Sequence, residues 1–132
     1  MSTSSPQPVV HVRHEDSDGH VAVIESTMPA GAPGPPLHKH DFDEAFYVVE
    51  GELTFQLGDE LRTAGPGECV FAPRNAVHTL ANLSDAAARY VLVCTPAGFE
   101  RRFDRRAADP PASAFGPIPE VTIVGPRIGE RG

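Results

Sequence analysis

The chain is short of positive charge, of cysteine and of long apolar runs, and each shortage removes a class of function. Lys and Arg number 11 against 18 Asp and Glu, a formal net charge of −7. Nucleic acids and anionic membrane surfaces both call for a basic face that this composition does not offer. No apolar stretch approaches the roughly 20 residues of a membrane-spanning helix. The opening MSTSSPQPVV has neither a basic nor an apolar signal region, so no secretory signal is expected and the cytoplasm is the default compartment. The only two cysteines, Cys69 and Cys94, sit in apolar sequence (CVFAP and VLVCTP). Two buried free thiols are therefore expected rather than a disulfide.

A long helix-forming run is also missing. Present instead are 14 Pro and 12 Gly in 132 residues that are 40% apolar. That length suits one domain with a real core, and the composition favours short strands joined by tight turns, an all-β fold. Residues 1–8 are Ser-, Thr- and Pro-rich and read as a disordered start. The barrel with its C-terminal helix is expected over 9–106, and a Pro/Gly-rich tail over 107–132.

Strands are expected over 9–13, 20–27, 37–40, 45–50, 52–57, 69–72, 77–83 and 89–95, with a late one over 121–124. Residues 29–36 (PAGAPGPP) can only be a loop, because four prolines remove ladder donors. Turn signals at such short, regular spacing point to an antiparallel barrel or sandwich. AFYVV and YVLVC are apolar on both faces, which implies that their outer face is covered by a second sheet or by another subunit, and a homodimer is the preferred expectation. A short helix is expected from Pro96, capped by Thr95, with Phe99 and Phe103 paired at i, i+4, and the arginines at 101, 102, 105 and 106 are read as a solvated face in preference to an anion site.

The chemistry lies in LHKHDFDEAFYVVEG, residues 37–51. Side chains alternate along a strand, so His38 and His40 share a face, about 7 Å apart by the strand rise. After a short turn, Glu44 returns a carboxylate to the same place. A second segment, GECVFAPRNAVHTLAN (67–82), adds His78 from another strand, after a turn where Asn75 tolerates a left-handed conformation. Three imidazoles and one carboxylate suit one divalent first-row ion (Fe, Mn, Ni, Co, Cu or Zn) better than calcium or magnesium. His11, His14 and His20 fit no such pattern and read as solvated.

These segments resemble the two motifs of the cupin superfamily. In the first motif a Gly is followed after five residues by His-X-His, after three or four more by Glu, and after six more by Gly. His38, His40, Glu44 and Gly51 match it, while Ala32 takes the leading glycine's place between Gly31 and Gly34. The second motif is matched at Gly67, Pro73, His78 and Asn82, with Asn75 replacing a glycine. The resemblance implies a double-stranded β-helix (jelly-roll) barrel with the four ligands at its mouth. The single-domain form and the run TPAGFERRF (95–103) most resemble small quercetinase-like bacterial cupins, which implies a dioxygenase cleaving a flavonol or related enol.

Four protein ligands on an ion that prefers six leave about two places for water, dioxygen or a chelating substrate. Glu44 can also take a proton from an incoming hydroxyl, the catalytic role assigned to it. Phe46 and Val48 share its parity, and Phe55, Leu80, Tyr90 and Leu92 are expected to approach from other strands and form an apolar substrate pocket. Met28, Leu37, Phe42, Phe71 and Phe99 are expected to edge its mouth. With no Arg or Lys beside the ligands, sugar phosphates are not expected. An isomerase, cyclase or lyase using the same ion, and a non-enzymatic small-molecule binder, remain as alternatives, since a fold hosts many chemistries.

Overall fold

The computed structural model describes residues 7–107, 109–112 and 116–130. Its strands are β1 (Val9–Val12), β2 (Ala22–Met28), β3 (His38–Lys39), β4 (Asp43–Glu50), β5 (Leu53–Leu57), β6 (Glu60–Ala64), β7 (Cys69–Ala72), β8 (His78–Ala81), β9 (Ala88–Thr95) and β10 (Thr122–Ile123). One helix, α1 (Glu100–Arg106), follows β9. The strands form two five-stranded antiparallel sheets in the orders β1-β2-β9-β4-β7 and β10-β3-β8-β5-β6, the double-stranded β-helix expected for the chain. None of the described helices is long and apolar enough to cross a membrane.

Alternation explains how the sheets close on one core. In β4, Glu44, Phe46 and Val48 are buried while Tyr47 between them is exposed. In β9 every second residue from Ala88 to Cys94 is buried. These inward sets meet Phe55, Leu53 and Val70 in one apolar cluster. By contrast β6 is exposed at four of its five positions, as an edge strand paired only with β5. Its polar sequence has no apolar alternation, so it escaped the sequence reading.

Three further expectations are corrected. The helix does not start at Pro96: Gly98, at φ 137°, holds the chain out of helical geometry, and Phe99 is the N-cap without a side-chain cap. Cys94 is buried, but Cys69 is exposed, and neither forms a disulfide. Tyr47 pairs with Cys69, and Ala45 with Phe71, on the outward side of the sheet. Phe71 therefore lies 55% exposed on the outer face and does not edge the cavity mouth.

The segment after α1 folds back onto the barrel. β10 pairs with β3, the Val124 N–H donates to the Leu37 carbonyl at 2.8 Å, and Ile128 is buried. The disordered start expected over 1–8 lies almost wholly outside the described residues.

Candidate metal centre

Both sheets contribute to one cluster. His38 on β3 stands directly opposite His78 on β8, with ring centroids 4.5 Å apart. His40 follows β3, and Glu44 comes from β4 in the other sheet. Two contacts tie the ligand segments together before any ion is considered. The Asn75 N–H donates to the His40 carbonyl at 2.6 Å, and the Arg74 N–H donates to Asp43 Oδ1 at 2.8 Å. Asn75 has φ 64°, the left-handed geometry expected of it in that turn.

Each imidazole is oriented by the backbone. Nδ1 of His38 faces the Pro36 carbonyl at 2.8 Å, that of His40 the Phe42 carbonyl at 3.1 Å, and that of His78 the Ala76 carbonyl at 2.8 Å. A carbonyl oxygen can only accept, so each Nδ1 carries the proton and Nε2 is left to bind something else. His40 also stacks on Phe42, with centroids 3.6 Å apart and planes 4° from parallel.

The inward atoms converge closely. Glu44 Oε1 lies 2.6 Å from His40 Nε2 and 2.8 Å from His78 Nε2. One donor atom from each of the four residues lies within 4.8 Å of every other. His40, Glu44 and His78 are all buried, and His38 is partly so. Neutral Nε2 atoms and a carboxylate oxygen are all acceptors, and such short contacts need a cation between them, either protons or a metal ion. Borderline nitrogen donors with one carboxylate suit a divalent first-row transition ion, so the residues fit such a group.

The electrostatics agree with that reading. Burial pushes the Glu44 carboxyl up, but His40 and His78 outweigh it and hold it below the usual carboxylate range. Burial also lowers His78, yet Glu44 and the Ala76 carbonyl reverse the sign and raise it. His38, where burial dominates, is lowered and so stays a neutral ligand further into acid. Both shifts favour a carboxylate beside a positive charge, a place that a dication can also take.

Beside the cluster opens a cavity of about 380 Å³, lined in part by His38, Glu44, Phe46, Leu80, Tyr90 and Leu92. Burial pushes the Tyr90 phenol up to about 12, so it stays protonated and can donate a hydrogen bond. Val48 and Phe55, at 0% and 1% exposure, belong to the core and are not among the lining residues. Of the residues expected at the mouth, Met28 and Phe99 line the cavity, whereas Phe42 is buried and Leu37 packs near Gly125.

Sequence reasoning missed the rest of the lining, formed by Arg102, Phe103, Arg106, Val121 and Ile123 with Pro35 and Pro36. The arginines after Phe99 are a solvated face only in part: Arg105 and Arg106 are exposed and Arg102 is half-buried. Arg101 is 9% exposed, and Arg102 and Arg106 face the cavity. The available signal was the spacing of Phe99, Arg102, Phe103 and Arg106 at i, i+3, i+4, i+7, one side of a helix.

The cupin domain family model matches residues 24–94, more than half of the chain, and the chain belongs to that family. Similar solved structures include a cupin-like protein from Thermotoga maritima, at 19% identity and TM-score 0.65, covering 90% of this chain and 75% of that one. A protein with a double-stranded β-helix domain from Klebsiella pneumoniae is 18% identical, with TM-score 0.60, over 74% of this chain and 82% of that one. The DMSP lyase DddQ from Ruegeria pomeroyi is 28% identical, with TM-score 0.53, over 58% of this chain but only 39% of that one. No curated protein sequence is significantly similar.

Proposed function

We propose that this cupin is a metal-dependent dioxygenase acting on a small aromatic or enolic, flavonol-like substrate. The observation that supports it is the convergence of His38, His40, Glu44 and His78 beside an apolar cavity of about 380 Å³. That volume is near the lower end of the roughly 300–1,000 Å³ typical of small-molecule sites and suits a compact ring system.

A divalent ion held there would supply a positive centre that favours the ionised form of an enol or phenol oxygen. The chain's own groups divide the remaining work. Glu44 accepts the proton from the incoming hydroxyl. The Tyr90 hydroxyl donates to a substrate oxygen, while Phe46, Leu80 and Leu92 hold the ring and exclude water. The likeness to a DMSP lyase favours a second reading, an elimination in which Glu44 takes its proton from carbon and no dioxygen is used.

Oxygen uptake with flavonols and simpler enols, on protein loaded in turn with iron, manganese, nickel, cobalt or copper, separates the two. The dioxygenase reading expects uptake with at least one ion and its loss in Glu44→Gln. Product formation under strict anaerobiosis would overturn it in favour of the lyase. The apolar outer face carrying Tyr47 and Phe71 also supports a homodimer, in which a second copy covers that face.

A further inference from the structure

Apart from Arg105, the side chains of α1 and its N-cap Phe99 divide into two sets with opposite electrostatic situations. Glu100, Arg101 and Asp104 are buried against the chain around β1 and the tail, and each is satisfied there. Glu100 accepts the N–H groups of His14 at 2.8 Å and Gly98 at 2.6 Å. Arg101 pairs with Glu15 at 3.1 Å and donates to the Pro117 carbonyl at 3.0 Å, and Asp104 pairs with Arg13. This side fixes the helix in place.

The other set, Phe99, Arg102, Phe103 and Arg106, lines the cavity. Among the described residues, neither the Arg102 nor the Arg106 guanidinium has a hydrogen-bond or ion-pair partner. Every other described arginine holds a carboxylate or a backbone carbonyl. In a chain of net charge −7, two unengaged guanidiniums on one cavity wall stand out from the general field. Among the described residues the cavity's only acidic lining residue, Glu44, is already engaged by His40 and His78. Residues 102 and 106 are one helical turn apart, so one carboxylate can reach both, or bind either through two parallel N–H donors.

We propose that the cavity takes an organic carboxylate: an apolar or aromatic body with an oxygen donor turned to the His38, His40, Glu44 and His78 cluster and a carboxylate received by Arg102 and Arg106. This deepens the small-molecule reading above and rests on it. Phe99 and Phe103, interleaved with the two arginines, contact the ring while the guanidiniums hold its acid group.

The test uses two probes that differ by one charge, 3,4-dihydroxyphenylacetate and its primary amide, titrated calorimetrically into zinc-loaded protein. The expected result is at least tenfold tighter binding of the acid. In the double variant Arg102→Gln/Arg106→Gln the two affinities become equal, with that for the amide unchanged. Arg105→Gln removes one of the same charges from the same helix, half of what the double variant removes, but its guanidinium donates to the Gly116 carbonyl at 2.6 Å instead of lining the cavity, and it should keep the preference. Equal binding of acid and amide to the parent would overturn this inference and leave the small-molecule reading standing. Binding of neither would overturn both. A loss in Arg105→Gln as large as in the double variant would also overturn it, by assigning the preference to the general field.

Discussion

Replacing Gly34 by alanine isolates how the loop before β3 is docked against the site. Gly34 has φ 71°, and a Cβ there would lie 1.8 Å from the Leu80 carbonyl oxygen on β8. The obstacle is backbone, so no side-chain rotation can relieve it. Gly31 provides the internal control, with φ 72° but nothing within 4 Å of its added Cβ. Both variants meet the left-handed penalty of about 1–2 kcal/mol, partly offset because alanine restricts the unfolded chain. Only Gly34→Ala also forces two backbones apart, an overpacking cost of about 1–3 kcal/mol more. For a chain of 132 residues, 1 kcal/mol moves Tm by roughly 4 °C. Gly31→Ala should therefore lose only a few degrees and Gly34→Ala roughly 10 °C, read by calorimetry or urea melts. Since β8 carries His78 and Leu80, the Gly34 variant should also bind metal more weakly than the Gly31 variant. If the two variants melted together, the close approach of Gly34 to Leu80 would be refuted.

Other outcomes follow from single contacts. Cys94 is buried, with burial pushing its thiol well up, and Cys69 is exposed, so a thiol reagent should modify one cysteine in native protein and two in denaturant. Tyr47→Lys combined with Phe71→Glu should leave the barrel folded and shift sedimentation from dimer to monomer; an unchanged dimer would place the interface elsewhere. Arg74 holds the Asp43 carboxylate below its ordinary 3.8, so its stabilising contact is present above that pH and lost as pH falls through the lower folded value. Asp43→Asn should accordingly lower the urea midpoint at pH 7, with the difference shrinking in strong acid.

What could be read from the sequence was whatever depends on local periodicity. The shared parity of His38 and His40, the inward set Glu44, Phe46 and Val48, and the left-handed Asn75 all follow from one strand or one turn, and the structure has them so. Features that depend on pairing were hidden. Cys69 and Cys94 have similarly apolar neighbours, yet Tyr47 meets Cys69 outside and Glu44 meets Cys94 inside, and only the register decides this. Val48 and Phe55 have inward parity, but they are fully buried in the core and do not line the cavity. The arginines of α1 were hidden for another reason. A helix face that is polar in sequence can meet water or a cavity, and the choice rests on how Glu100, Arg101 and Asp104 anchor the opposite side. The motif glycine displaced by Ala32 reads similarly: the close approach to β8 is made at Gly34.

Metal stoichiometry by elemental analysis tests the central claim most directly. Protein stripped with chelator, reloaded with a divalent transition ion and freed of excess by gel filtration should carry one equivalent per chain. His78→Ala, which removes one of the four converging donors, should carry much less after the same treatment while still melting cooperatively. Equal metal content in the parent and a folded His78→Ala protein would contradict the account.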